Sequence, residues 1–312
     1  MEQGTVFDDL GVRPVVNACG IYTDLGGSRL SPAVWAAMAE VNERFIDMVE
    51  LLDRSGAVIA ELLGVAAARV TPGASAAIAL GVAACMTEND PVKMAQLPDA
   101  ADLANEVILQ RGHRYKYARC ALLPGARLVE VGGDDRTRPE EIEAAINPRT
   151  AALLLPAHLE GHNGTVPLAE VAVIGRAAGI PTVVDAAYLN DPTRLMGSFA
   201  AAGADLVCFS AKYFGGPNAG GFICGRADLI DAVAGVDFTR HESGPYRRFG
   251  RAFKLDRQSV VATVVALREW FAEDPADRWR RFGERVAMLA ADLTDLPGAT
   301  LTPMCFTMDE RL

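Results

Sequence analysis

The sequence predicts an α/β fold: a mostly parallel central sheet flanked by helices, followed by a short or incomplete C-terminal small domain. Three observations predict it. From about residue 55 onward, apolar helical patterns alternate with short β-rich runs, the order left by crossover helices between parallel strands. Most of the residues in those runs are apolar, as in strands buried in a sheet. Half of the 312 residues are hydrophobic and 22% are charged, which suits a large buried core rather than a disordered chain. At roughly 150 residues per domain, this length means about two domains or one large α/β unit.

Residues 55–63 read as a helix closed by Gly64, and 68–71 as a short strand. Residues 73–86 form a helix of small side chains able to pack tightly. The runs 106–109, 127–131, 151–155, 182–184 and 206–210 read as buried strands. Between them lie helices at 139–145 and 168–178, the second closed by Gly179 and then Pro181. Residues 221–224 read as a strand turning back from a glycine-rich loop. Two long amphipathic helices fill 259–293, and a last strand-like piece spans 298–308, too little to form a sheet alone. The expected divisions are therefore 1–54, 55–258 and 259–312.

Composition excludes several classes. Thirty Lys+Arg against forty Asp+Glu leave a net charge of −10, which repels phosphate backbones and disfavours nucleic-acid binding. The longest nearly unbroken apolar stretch, 74–86, is too short to span a bilayer and contains Ser75 and Gly81. The opening MEQGTVFDDL has neither a basic nor an apolar signal region, so a soluble cytoplasmic chain is expected. Cysteines at 19, 85, 120, 208, 224 and 305 include no C-x-x-C pair, and histidines at 113, 158, 162 and 241 no H-E-x-x-H. No metal centre is expected.

Three features fall at strand ends, where an open α/β sheet binds its ligands. The first is T-P-G-A-S-A-A, residues 71–77, joining a strand to a helix. Gly73 lets the backbone turn closely, and the free N–H groups of Ala74, Ser75 and Ala76 face an anion. The helix dipole adds about 0.3–1 kcal/mol, up to about 2 when partly buried. Taken alone, such a start is an ordinary helix cap. The second is V-V-D-A-A-Y, residues 183–188, where Asp185 ends an apolar strand and must be paired or hydrogen-bonded. The third is F-S-A-K-Y-F-G-G-P, residues 209–217, where Lys212 follows a buried strand and sits partly desolvated at the sheet edge. A lone lysine there is ordinarily a surface residue, and a lone aspartate an N-cap or ion-pair partner. Together, a phosphate cradle, a carboxylate for a pyridinium nitrogen and an amine for a Schiff base describe pyridoxal phosphate binding.

The chain resembles the fold-type-I pyridoxal-phosphate enzymes, within them the group related to selenocysteine synthase and D-glucosaminate-6-phosphate ammonia-lyase. The resemblance runs from about residue 11 to about residue 270. It is carried by V-V-N-A-C-G-I-Y-T-D-L-G-G-S (15–28), L-P-D-A-A-D-L-A-N-E-V-I-L-Q-R-G-H-R (97–114), V-V-D-A-A (183–187), F-S-A-K-Y-F-G-G-P (209–217) and G-R-A-F-K (250–254). The selenium-transferring branch is expected to add an N-terminal tRNA-binding region and a basic surface, so the ammonia-lyase branch is the closer expectation.

The resemblance implies that Lys212 carries the cofactor and shuttles the proton at Cα, and that Asp185 keeps the ring nitrogen protonated. Gly73, Ala74, Ser75 and Ser210 would hold the phosphate. His113 would lie near the ring face, and His158 would touch the ring hydroxyl or the substrate, with His162 a loop residue. Asn17, Tyr22, Arg29, Arg111, Arg251 and Lys254 are substrate candidates through charge-assisted bonds. Residues 1–54 would reach the active site or a partner subunit of a homodimer or larger homo-oligomer. Tyr22 and Asp24 depart from the family's Thr/Leu-rich version of that segment. The expected reaction is α-proton abstraction and β-elimination on an amino acid or amino sugar acid, giving a 2-keto acid and ammonia. A racemase or epimerase, an aldolase or transferase, and a non-catalytic binding subunit are the alternatives. An ordinary nucleotide-binding protein would carry G-x-G-x-x-G or G-x-x-x-x-G-K-[ST], and neither is present.

Overall fold

A computed structural model describes residues 5–300 except Asn163, Asp295 and Ala299. Two compact units divide at Trp270 and Phe271. The first holds a seven-stranded sheet: β1 (Ala67–Thr71), β2 (Glu106–Gln110), β3 (Arg127–Val131), β4 (Thr150–Pro156), β5 (Thr182–Asp185), β6 (Leu206–Ser210) and β7 (Gly221–Gly225). Their spatial order is β1-β7-β6-β5-β4-β2-β3. Neighbours from β6 to β3 pair in parallel, while β7 runs antiparallel to both β1 and β6. The mostly parallel sheet is thus as the sequence predicts. The reversal at β7 follows from chain length. Only residues 211–220 join β6 to β7, and a parallel partner needs a crossover of a dozen residues or more.

All strands but β7 point the same way, so Thr71, Gln110, Pro156, Asp185 and Ser210 finish at one edge. Gly221 begins β7 there, directly opposite both Thr71 and Ser210. This alignment is what gathers the site.

The helix Gly73–Thr87 is apolar all round, and nearly every side chain is buried against the sheet and the helix Ala227–Val236. Alanine and glycine make that approach close. Two helices escape or outrun the sequence reading because their starts are set by caps. Asp47 accepts from the Val49 and Glu50 N–H groups and begins Met48–Leu63 well before residue 55. Ser31 accepts from Val34 N–H and, with Pro32, begins Pro32–Asn42.

The helix Arg257–Ala272 crosses from the first unit into the second. In the second, Asp274 caps Pro275–Leu293, Arg278 pairs with Glu273 at 3.2 Å, and Trp279 meets Phe282 edge to face. The strand-like piece expected at 298–308 lies almost wholly outside the described residues. Among the described residues no helix is long and apolar enough to cross a membrane.

Candidate active site

β1 ends at Thr71, and Pro72 leads into the helix at Gly73, whose φ of +81° suits glycine. Pro72 offers no side-chain cap, so the first-turn N–H groups point unscreened toward the sheet edge. A Cβ on Gly221 would lie 2.7 Å from Gly73 Cα and 2.5 Å from the Phe209 carbonyl oxygen. Two glycines therefore let the helix start sit directly on the strand pair. Ser75 and Ser210 flank it.

Asp185 is the last residue of β5 and only 2% exposed. Its Oδ1 accepts the Ala187 N–H at 3.1 Å. The Tyr115 hydroxyl interacts with the same carboxylate without the geometry of a full hydrogen bond. No Lys or Arg pairs with Asp185 among the described residues. Burial pushes its pKa up, against the pull of Tyr115, the Ala187 N–H and His158.

Lys212 lies in the 3-10 turn Ala211–Phe214 that follows β6. Its Nζ donates to Thr23 Oγ1 at 2.7 Å and stands 5.0 Å from the Tyr213 ring centre. Burial lowers its pKa, Asp24 opposes that, and Lys116 adds to it. His158 follows β4, and its ring lies 5.6 Å from those of both Tyr115 and Tyr188. Burial lowers its pKa from an ordinary value of 6.5, so it is neutral at pH 7.

These groups share one cavity of about 370 Å³. Gly73, Ala74, Ser75, His158, Asp185, Ser210 and Lys212, all candidates from the sequence, line it together. Thr23, Lys116, Tyr117, Tyr188, Tyr213 and Asn218 line it too, and sequence reasoning passed over them. Tyr188, three residues after Asp185, and the aromatic run R-Y-K-Y after β2 were the available signals. Larger clefts of about 820 and 550 Å³ lie elsewhere, but neither gathers a buried carboxylate, an amine and a helix start.

The remaining candidates sit apart from this lining. His113 is fully buried, neither ring nitrogen makes a hydrogen bond of full geometry among the described residues, and burial depresses its pKa to about 4 against the opposing pull of the Leu159 backbone. Asn17 knits its own turn through the Gly20 carbonyl and the Cys19 N–H. Tyr22 is exposed. Arg111 faces Asp134 at 4.0 Å, Arg251 pairs with Glu242 at 2.8 Å, and Lys254 is exposed. Arg29 lines a neighbouring cavity. The segment around residues 17–28 touches its own chain's site: besides Thr23 on Lys212, Ser28 Oγ donates to the Gly216 carbonyl. No group of three or more His, Cys, Asp or Glu suited to a metal occurs among the described residues.

Fold and site together define a fold-type-I pyridoxal-phosphate enzyme. Residues 112–278 match the family model SelA, L-seryl-tRNA selenium transferase. A 5'-C-glycyluridine monooxygenase-decarboxylase of a Streptomyces species is 36% identical over 94% of this chain and 72% of its own length. A D-glucosaminate-6-phosphate ammonia lyase of Salmonella typhimurium is 33% identical over 85% of this chain and 70% of its own. The chain belongs to the SelA family. A solved structure of D-glucosaminate-6-phosphate ammonia-lyase superposes with a TM-score of 0.78 at 32% identity, covering 87% of this chain and 71% of that one. The pyridoxal-5'-phosphate-dependent protein YhfS of Escherichia coli shares the fold, with a TM-score of 0.52 at 19% identity over 80% of this chain and 61% of its own.

Proposed function

We propose that the protein is a pyridoxal-phosphate-dependent lyase that removes the α-proton of an amino acid or amino sugar acid and expels its β-substituent. The observation that carries this reading is the convergence of a buried, cation-free carboxylate and a partly desolvated amine on one cavity beside an uncapped helix start. When bound, the cofactor supplies an electron sink that acidifies the bonds at Cα. The first-turn N–H groups at Gly73, Ala74 and Ser75, with the Ser75 and Ser210 hydroxyls, hold the phosphate. Asp185 holds a proton at the ring nitrogen, its charge held unscreened by burial until that partner meets it.

Lys212 is the attachment point, and Thr23 fixes its amine. Once freed by the substrate amine, Lys212 Nζ would take the proton from Cα, and its lowered pKa favours the neutral amine that accepts it. Where the β-substituent is a hydroxyl, its bond to Cβ would then break, the proton held on Lys212 Nζ would pass to the departing oxygen so that water leaves, and the enamine product would hydrolyse to a 2-keto acid and ammonia. Neutral His158 and Tyr188 form the facing wall. Racemisation and aldol-type cleavage start from the same proton or bond at Cα and differ only in which bond lies along the ring π-system.

A second reading, oxidative decarboxylation, is favoured by the higher identity and coverage of the Streptomyces relative. Both relatives' names specify an amino-acid unit on a sugar-derived skeleton, which supports that substrate class under either reading. The holo-protein is incubated with a panel of amino acids and amino sugar acids while keto acid, ammonia, oxygen uptake and carbon dioxide are followed. Keto acid and ammonia without oxygen uptake support the lyase; oxygen uptake with carbon dioxide supports the second reading and overturns the first.

A further inference from the structure

We infer that Asn190 is a positioning residue: it holds the turn that carries Lys212 in register with the strand end that carries Asp185, and the Trp270 indole holds Asn190. The inference rests on the places given above to Lys212 and Asp185, and not on which reaction follows. Asn190 stands outside the cavity lining, yet its side chain reaches the lysine's own turn.

The need for such a brace follows from where the sheet ends. β5 and β6 pair in parallel as far as Asp185 and Cys208. Main-chain bonds carry the pairing a little further: the Ala186 N–H donates to the Cys208 carbonyl at 3.1 Å, and the Ser210 N–H to the Ala187 carbonyl at 3.0 Å. Lys212 lies beyond the last of these. There Asn190 Nδ2 donates to the Tyr213 carbonyl at 2.9 Å, and the Tyr188 and Tyr213 rings pack 5.8 Å apart across the same two segments. The last carbonyls of a helical turn have no partner inside it, so the Tyr213 oxygen takes its donor from elsewhere. With the turn Ala211–Phe214 tied at Tyr213, the adjacent lysine is set against the carboxylate at the end of β5.

Asn190 is itself held. It is 6% exposed, its N–H donates to the Tyr188 carbonyl at 3.1 Å, and its carbonyl accepts the Trp270 Nε1–H at 3.0 Å. Trp270 stands on the helix Arg257–Ala272, so that helix, the chain after β5 and the chain after β6 all meet at one asparagine. A leucine of similar size would fill the space but leave the Tyr213 carbonyl without this donor. An amine already ordered for attachment loses less freedom when the cofactor arrives. A loosened turn therefore weakens covalent loading while the grip on ring and phosphate stays as it was. That asymmetry separates a positioning role from general support of the fold.

The test separates attachment from grip with a pair of probes. Pyridoxal 5'-phosphate carries the aldehyde that joins a lysine; 4'-deoxypyridoxine 5'-phosphate has a methyl group there and engages only the ring and phosphate sites. The full chain is stripped of cofactor, and its binding of each probe is followed by calorimetry and absorbance. Asn190→Leu is expected to weaken pyridoxal phosphate about tenfold, a difference of about 1.4 kcal/mol, and to leave the deoxy probe within about twofold of wild type. Trp270→Phe keeps a ring and drops the N–H, and is expected to show the same pattern at about threefold. In a Lys212→Ala background, Asn190→Leu has no further effect on pyridoxal phosphate. Equal weakening of both probes, or of neither, overturns the inference, and so does a loss that persists without Lys212. Wild-type affinities in Trp270→Phe overturn the part given to Trp270. Failure of the site reading looks different: Lys212→Ala then binds pyridoxal phosphate as tightly as the wild type does. Failure of the lyase reaction leaves the binding pattern untouched.

Discussion

Asp185 and Lys212 are perturbed in opposite senses by the same cause, loss of water at a sheet edge. Asp185 has a folded-state pKa above its unfolded value, so its contribution favours folding at acid pH and is lost as pH rises through the folded value. Asp185→Asn is therefore expected to raise the melting temperature of the cofactor-free protein at pH 7 by a few degrees, with the difference closing near pH 4. Turnover in the same variant falls by at least about 100-fold, since the ring nitrogen loses its partner. Thermal melts at the two pH values and steady-state rates check both. For Lys212, the neighbouring charges set the direction. Lys116→Met removes a repulsion and moves the pH midpoint of covalent cofactor loading upward; Asp24→Asn removes an attraction and moves it downward. Both shifts are read from the cofactor's absorbance against pH. The sequence singles out Lys212 and Asp185 because each follows or ends an apolar run, and Ser75 because T-P-G-A-S-A-A joins a strand to a helix. Thr23 was not, because its bond to Lys212 spans 189 positions and no local pattern announces it. Tyr115 hid for a related reason: its partner, Asp185, belongs to another strand.

At the scale of elements, the cradle depends on β7 running against its neighbours. That reversal brings Gly221 opposite both Thr71 and Ser210 and leaves room for the helix start at Gly73. Gly221→Ala places a methyl group against two backbones, neither of which can swing aside as a side chain would. It is expected to lower stability by about 1–3 kcal/mol and to weaken cofactor retention at least about tenfold. Denaturant melts and absorbance titration measure the two effects, and an unchanged cofactor affinity would separate β7 from the phosphate site. The strands were readable from their composition. Their order was not, since apolar runs such as Leu153–Leu155 and Val183–Val184 carry no label for their neighbours. The early start of Met48–Leu63 was written in Asp47, a cap whose meaning depends on what the following turn does.

At the scale of the molecule, the described chain leaves a run of apolar side chains near its start in water. Leu10, Val15 and Val16 are 70%, 67% and 99% exposed, and Phe45 is 97% exposed. Apolar surface of that extent is ordinarily covered by another chain. We expect a homo-oligomer of at least two copies, with this N-terminal region in the interface. Light scattering at micromolar concentration gives the mass. Charge substitution at Val16 and Phe45 should shift it toward the monomer, and a wild-type monomer would refute the expectation. The sequence reading expects residues 1–54 to reach the active site or a partner subunit; within one chain, Thr23 accepts from Lys212 and Ser28 donates to the Gly216 carbonyl. Which chain's site such a segment serves is a property of folding in space, invisible to spacing along the chain.

The central claim is that Lys212 carries the cofactor. The chain has only four lysines, at 93, 116, 212 and 254, so the claim can be read from one peptide map. Lys93 pairs with Glu88 at 3.6 Å, Lys254 is exposed, and Lys116 shares the cavity. The holo-protein is reduced with borohydride, digested, and searched for the pyridoxyl group by mass spectrometry. The account predicts the label on the peptide containing Lys212 and its disappearance in Lys212→Ala, with the fold intact by circular dichroism. A label on Lys116, or on any lysine when Lys212 is absent, would contradict it.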